Sequence, residues 1–186
     1  MITPDFLLNS KPVHTFNHNF YYLLGFLATD GSIMKDCNNI RIEISEQDKN
    51  LIYKIQKLFG GSVTEYTLKG ESIKKFKNVQ NRIAWRITHR EFHNYLTLIG
   101  ITPCKTYTLN VTNWFNTLTN DDKNAFIRGC WDGDGTIFYK IRNEKKDLQV
   151  ITGICSASLS FINMLHSHFN NIGIIHERLK ENTPKA

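Results

Sequence analysis

"YYLLGFLATDGSI" (21–33) and "NAFIRGCWDGDGTI" (124–137) are the two stretches on which the fold turns. Aligned on Asp30-Gly31 and Asp134-Gly135, they set Gly25 opposite Gly129 and Ser32-Ile33 opposite Thr136-Ile137, at an offset of 104 residues. Each reads as a helix ending in a carboxylate. The C-terminal end of a helix is its negative end, so an Asp there is disfavoured. One Asp-Gly is ordinary turn chemistry, because Gly closes helices and Asp favours turns. Two copies in matched contexts ask for another reason. In both, a glycine stands five residues before the Asp, and a mid-helix Gly costs about 1 kcal/mol against Ala. That cost makes sense where two helix backbones must approach closely. Helices lying side by side and parallel would bring Asp30 and Asp134 together, desolvated and mutually repelling. A hard divalent cation resolves the conflict, and oxygen ligands of this kind suit Mg2+.

The likeness continues downstream. "NIRIEISEQDKNLIYKIQKLFGGSV" (39–63) lies against "LQVITGICSASLSFINMLHSHFNNIGI" (148–174), each an alternating strand, a polar cap and an amphipathic helix ending at Gly. A duplication of this length exceeds solenoid periods and suggests two related domains in one chain. The first half reads as helix (19–30), strand pair, helix (47–59), strand pair and helix (91–100), with 101–120 as the link. In strand 39–45, Ile40, Ile42 and Ile44 alternate with Arg41, Glu43 and Ser45. In 82–90, Ile83, Trp85 and Ile87 alternate with Arg82, Ala84, Arg86 and Thr88. The apolar strand faces must pack on helices. The other face, with Arg41, Arg82 and Arg86, is a candidate surface for a duplex groove, against the ordinary alternative of a solvated charged face.

The composition agrees. The chain has 186 residues, a formal net charge of +6 and 41% hydrophobic residues, which is globular and basic and favours a polyanion partner. Its four cysteines, Cys37, Cys104, Cys130 and Cys155, show no C-x-x-C spacing and read as reduced thiols. The first residues show no secretory signal pattern and no apolar run approaches a membrane span. The expected location is intracellular, cytoplasmic or organellar, with no membrane partner.

"LLGFLATDG" and "IRGCWDGDG" resemble the paired motifs of the LAGLIDADG homing endonucleases, and "SEQDKNLI" and "LGITPCKTYTL" are similar to that family as well. The resemblance runs from about residue 20 to 180. It implies an α+β fold of tandem αββαββα repeats with antiparallel DNA-binding sheets, in a monomer that acts as a pseudo-dimer. The implied division is an N-terminal extension (1–18), a first repeat (19–110), a linker (111–120) and a second repeat (121–186). The second repeat is expected to be incomplete, because the counterpart of Lys105 would fall beyond residue 186. The implied function is site-specific cleavage of both strands of a long DNA site, read through the major groove, with a divalent cation, Mg2+, as cofactor. The family is carried by mobile introns and inteins.

By the same resemblance, Asp30 and Asp134 are the metal ligands. Lys105 supports the scissile phosphate or the attacking water, and Glu46 lies near that water, with Ser156 as its counterpart. Asp132 matches a helix-capping or structural position, where the first copy has Ala28. The outward sheet residues Arg41, Glu43, Ser45, Arg82, Arg86 and Thr88 are expected to contact DNA. Lys69, Lys74, Lys75 and Lys77 are expected in a phosphate-binding loop, and Lys140 and Arg142, with Lys145 and Lys146, in its second-half equivalent. Other readings stay open: an RNA-splicing maturase binding intron RNA, a non-catalytic DNA-binding relic on the same fold, or an unrelated basic α/β domain.

Overall fold

The computed structural model describes residues 4–67, 81–142 and 147–174. Lys69, Lys74, Lys75, Lys77, Lys145 and Lys146 lie outside the described residues.

Helix α1 (His18–Thr29) is the axis of the first half. Its residues 23 to 28 are all buried, as a helix that is apolar all round must be. Strand β3 (Gly31–Ile33) follows with no intervening loop and pairs with β4 (Asn39–Ser45). Ile40, Ile42 and Ile44 point into the core, and the intervening residues do not, the period-two pattern of a half-buried strand. A single turn of 3-10 helix, Glu46–Asp48, leads into α2 (Lys49–Phe59), which buries Ile52, Ile55 and Phe59. The sequence placed the helix start at 47. The Ser45 hydroxyl accepts from the Gln47 amide at 3.3 Å, and this holds the entry in the tighter turn.

Strands β5 (Ser62–Tyr66) and β6 (Arg82–Thr88) complete an antiparallel sheet in the order β3-β4-β6-β5. Strand β6 ends at Thr88, short of the expected 90, because His89 caps α3 (Arg90–Leu98): its Nδ1 accepts from the Phe92 amide at 3.2 Å. Ala84, expected on the outward face, is buried: register sets its short methyl between the longer Glu43 and Thr64 side chains.

The stretch expected to be a plain link is woven into the core. Ile101, Leu109, Val111, Leu118 and, on the short helix α4 (Thr112–Phe115), Trp114 and Phe115 are all buried. The second half runs α5 (Asn120–Asp134), β7 (Gly135–Arg142), β8 (Asp147–Ile154) and α6 (Leu159–Asn171). Helix α5 starts at Thr119, whose hydroxyl accepts from the Asp122 amide, and α6 at Ser158, whose hydroxyl accepts from Phe161, both at 3.3 Å. The element order is therefore αββαββα followed by αββα, with β7 and β8 forming a two-stranded antiparallel hairpin.

Residues 4 to 17 are packed against the first half. Strands β1 (Leu7–Leu8) and β2 (Lys11–Pro12) form a small hairpin, and Phe6, Leu8, Val13 and Phe16 are buried around it.

Candidate active site at the motif-helix ends

Helices α1 and α5 run parallel and touch backbone to backbone. A Cβ added to Gly25 would stand 1.9 Å from the Phe126 carbonyl oxygen, and one added to Gly129 would stand 2.1 Å from that of Tyr22. Gly133 packs on the Thr29 side chain, where an added Cβ would stand 2.1 Å from Oγ1. The contacts are reciprocal under the 104-residue offset, which is also the separation of His18 and Asp122, whose Nδ1 and Oδ1 meet at 3.0 Å near the start of the pair. A pseudo-twofold axis thus runs between the two helices, and Asp30 and Asp134 are equivalent residues at their far ends.

The electrostatics of that end are mixed. Partial burial raises the Asp30 pKa, and the Asp134 carboxylate raises it further, while Lys105 and Arg82 pull it down. Lys105 is half-buried. Its Nζ donates to the Thr29 carbonyl at 3.1 Å and also to the Gly31 carbonyl, so the ammonium closes the C-terminal end of α1. Burial lowers its pKa, and the fields of Asp134 and Asp30 oppose that. The structure therefore brings Asp30, Asp134 and Lys105 to one place, with Arg82 near enough for its charge to be felt.

A cleft of about 600 Å³ opens beside Asp30, lined also by Glu43, Ser45, Gln47, Arg82 and Asp132. Glu46 is not among its lining residues. It faces a neighbouring pocket shared with Ser45, Gln47 and Asn81, and its Oε1 lies 3.7 Å from the Lys49 Nζ. Gln47 borders both spaces, a role its sequence position does not signal, since it reads as the first turn of a helix. Asp132 is engaged across the helix pair: it accepts from the Tyr22 hydroxyl at 2.7 Å, and the Arg128 guanidinium sits 5.4 Å from the Tyr22 ring centre.

On the outward face of the sheet, register sets Arg41 beside Arg86 and Ser45 beside Arg82. Arg41 is already committed: it donates to Glu43 and, at 3.0 Å, to the Tyr66 hydroxyl. Arg86 and Thr88 are exposed, as is Lys140 on the second hairpin. Arg142 ends β7. Ser156 is exposed, and its hydroxyl accepts from the Ser158 amide.

Among the described residues no group of three or more His, Cys, Asp or Glu side chains forms a self-sufficient metal cage. The donor set is two carboxylates, one of which resists ionisation beside the other. That set fits a hard cation of the magnesium type, which commonly takes one or two carboxylates and completes its shell with water and substrate phosphates. Among the described residues no helix is long and apolar enough to cross a membrane.

Comparison with known proteins agrees with this architecture. Residues 17–100 match the LAGLIDADG-like domain family. The uncharacterised protein MJ0314 of Methanocaldococcus jannaschii is 23% identical over 155 residues, which cover 82% of this chain and 54% of that protein. The chain thus spans about half the length of that relative. Among solved structures, the meganuclease I-SmaMI bound to uncleaveable DNA superposes with a TM-score of 0.54 at 14% identity, over 91% of this chain and 77% of that one. A lysine-to-alanine mutant of I-SmaMI gives 0.53 at 13% identity, over 88% and 76%. Residues 17–100 are a LAGLIDADG-like domain, and the chain takes the fold of the LAGLIDADG homing endonucleases.

Proposed function

We propose that this chain is the DNA-binding and cleaving part of a site-specific double-strand endonuclease, built from a first unit at 19–110 and a second at 121–186 joined through 111–120. The observation that carries the reading is the pairing of Asp30 and Asp134 at the ends of two parallel helices, where partial burial and the Asp134 carboxylate disfavour the Asp30 charge unless a cation answers it. A binding protein has no use for paired carboxylates close to phosphates. Asp30 and Asp134 would hold a divalent cation, Mg2+, which when bound lowers the pKa of water and stabilises the leaving oxygen.

The chain's own residues do the rest. Lys105, held at the end of α1 by two backbone carbonyls, places a positive charge where the scissile phosphate collects negative charge. Glu46 and Gln47 order water at the edge of the site. Glu43, Ser45, Arg86 and Thr88 read base edges in the major groove, which a two-stranded ribbon fits. Arg41 joins them once it exchanges Glu43 and Tyr66 for DNA. Lys140 and Arg142 extend the contact along the second hairpin, and Lys69, Lys74, Lys75 and Lys77 hold phosphates. Arg82 lines the cleft beside Asp30, where that carboxylate feels its charge, and holds a phosphate rather than a base.

Selection of cut sites from a randomised duplex library with magnesium tests this. Wild type yields a defined set of cleaved sites, and Asp30→Asn and Asp134→Asn each lower cleavage on the order of a hundredfold or more while still binding the recovered site. Binding without cutting, unchanged by either substitution, would reduce the protein to a DNA-binding relic. Binding confined to structured intron RNA would identify a maturase instead.

A further inference from the structure

A second cleft lies apart from the carboxylates. It measures about 440 Å³, lies among α4, α5 and α6, and shares no residue with the cleft beside Asp30. Carboxamides dominate its walls, with Asn113 and Asn116 on one side and Asn163 and Asn171 on the other, and among the described residues no carboxylate lines it. The α6 members lie on one stripe of that helix, at helical spacing. Among the described residues Lys123 supplies the lining ammonium, 5.6 Å from the Phe115 ring centre. His168 also lines the cleft. It is only 9% exposed, its ring stands edge-on to Phe115 at 5.3 Å, and its Nε2 has no hydrogen-bond partner among the described residues. Native structures rarely leave such an atom unmet.

The chemistry of these walls selects a ligand. One cation, with no carboxylate among the described lining residues, suits a single anionic group. A row of carboxamides, each offering a donor pair and an acceptor, suits a planar edge that mixes donors and acceptors, and Asn reads base edges in this way. The volume lies within the range of small-ligand sites. We propose that this cleft binds one nucleotide unit, with its phosphate at Lys123 and its base edge on the Asn113 and Asn163 carboxamides. The unit comes either from a free mononucleotide or from a single strand, since both present the same groups. The site is independent of the nuclease reading.

Calorimetric titration of the full chain tests it, with adenosine monophosphate, adenosine, inorganic phosphate and a short single-stranded oligonucleotide as probes. Adenosine monophosphate binds more tightly than adenosine or phosphate alone. Lys123→Gln weakens it roughly tenfold, as the loss of one charge-assisted contact should. Asn163→Ala, at an exposed position that leaves the fold intact, weakens it severalfold, and Asp30→Asn leaves it unchanged. An oligonucleotide that binds more tightly than the mononucleotide, with that gain lost in Lys123→Gln and Asn163→Ala, assigns the site to a strand, and equal affinity assigns it to the free nucleotide. No binding of either, binding that survives both cleft substitutions, or inorganic phosphate binding as well as the nucleotide would overturn the proposal.

Discussion

Gly25 shows how much a single missing methyl decides. The group a Cβ would strike is a backbone carbonyl on the opposite helix, which cannot swing aside as a flexible side chain can. Gly25→Ala therefore forces α1 and α5 apart and costs about 3 kcal/mol, read as a lowered denaturation midpoint with unchanged slope. Gly153 provides the contrast: a Cβ there meets nothing within 4 Å. Gly153→Ala leaves the midpoint unchanged or raises it by a few tenths of a kcal/mol. If both variants melt together with wild type, the two backbones are not in contact. Tyr22 and Asp132 form the asymmetric contact of the same interface, since the position matching Asp132 is Ala28. A double-mutant cycle between Tyr22→Phe and Asp132→Asn should return a coupling of about 0.5–1 kcal/mol, and a coupling of zero would leave the 2.7 Å contact without weight.

The hairpin formed by β1 and β2 shows what periodicity cannot reveal. Its strands are two residues each, too short for alternation to register, so residues 1–18 read as an extension. Yet the Phe6 ring lies within 6.2 Å of Phe20 and 5.6 Å of Phe92, and the His89 Nε2 reaches the Leu7 carbonyl at 2.8 Å. Phe6→Ala should cost about 3 kcal/mol in chemical denaturation, and a loss below about 1 kcal/mol would return the segment to the status of an appendage. Longer elements were legible because each carries its own period. Strand β4 announced itself by Ile40, Ile42 and Ile44, and the motif helices by glycine spacing and shared endings. Gln47 was hidden because a 3-10 turn and the first turn of an α-helix have the same composition. The bond between Arg41 and Glu43 was hidden because sequence gives the face a side chain occupies and not its partner on that face.

At the scale of the molecule, the halves are joined but unequal. Phe126, Cys130 and Phe161 from the second half belong to the same buried cluster as Leu23, Ile42 and Trp85 from the first, so unfolding should be one cooperative event. The first sheet is four-stranded with its apolar face covered, whereas the β7–β8 hairpin leaves Ile137, Tyr139, Leu148 and Val150 exposed. One shared core means that a titration anywhere in it shifts the whole transition. His168 is the group to follow. Burial lowers its pKa below the usual 6.5, and the Lys123 charge lowers it further. The unfolded chain takes up this proton as pH falls below about 6.5 while the folded chain resists it. The unfolded state then binds more protons, so stability is full above that pH and is lost as pH falls through the folded-state value. His168→Phe keeps the ring that packs edge-on against Phe115 and removes the titrating group together with its unpartnered nitrogen. Thermal melts at pH 7.5 and 5 (chosen to straddle the unfolded value of about 6.5) should show a smaller loss on acidification in His168→Phe than in wild type. An equal loss in both proteins would mean that the buried imidazole does not govern the acid limb of stability.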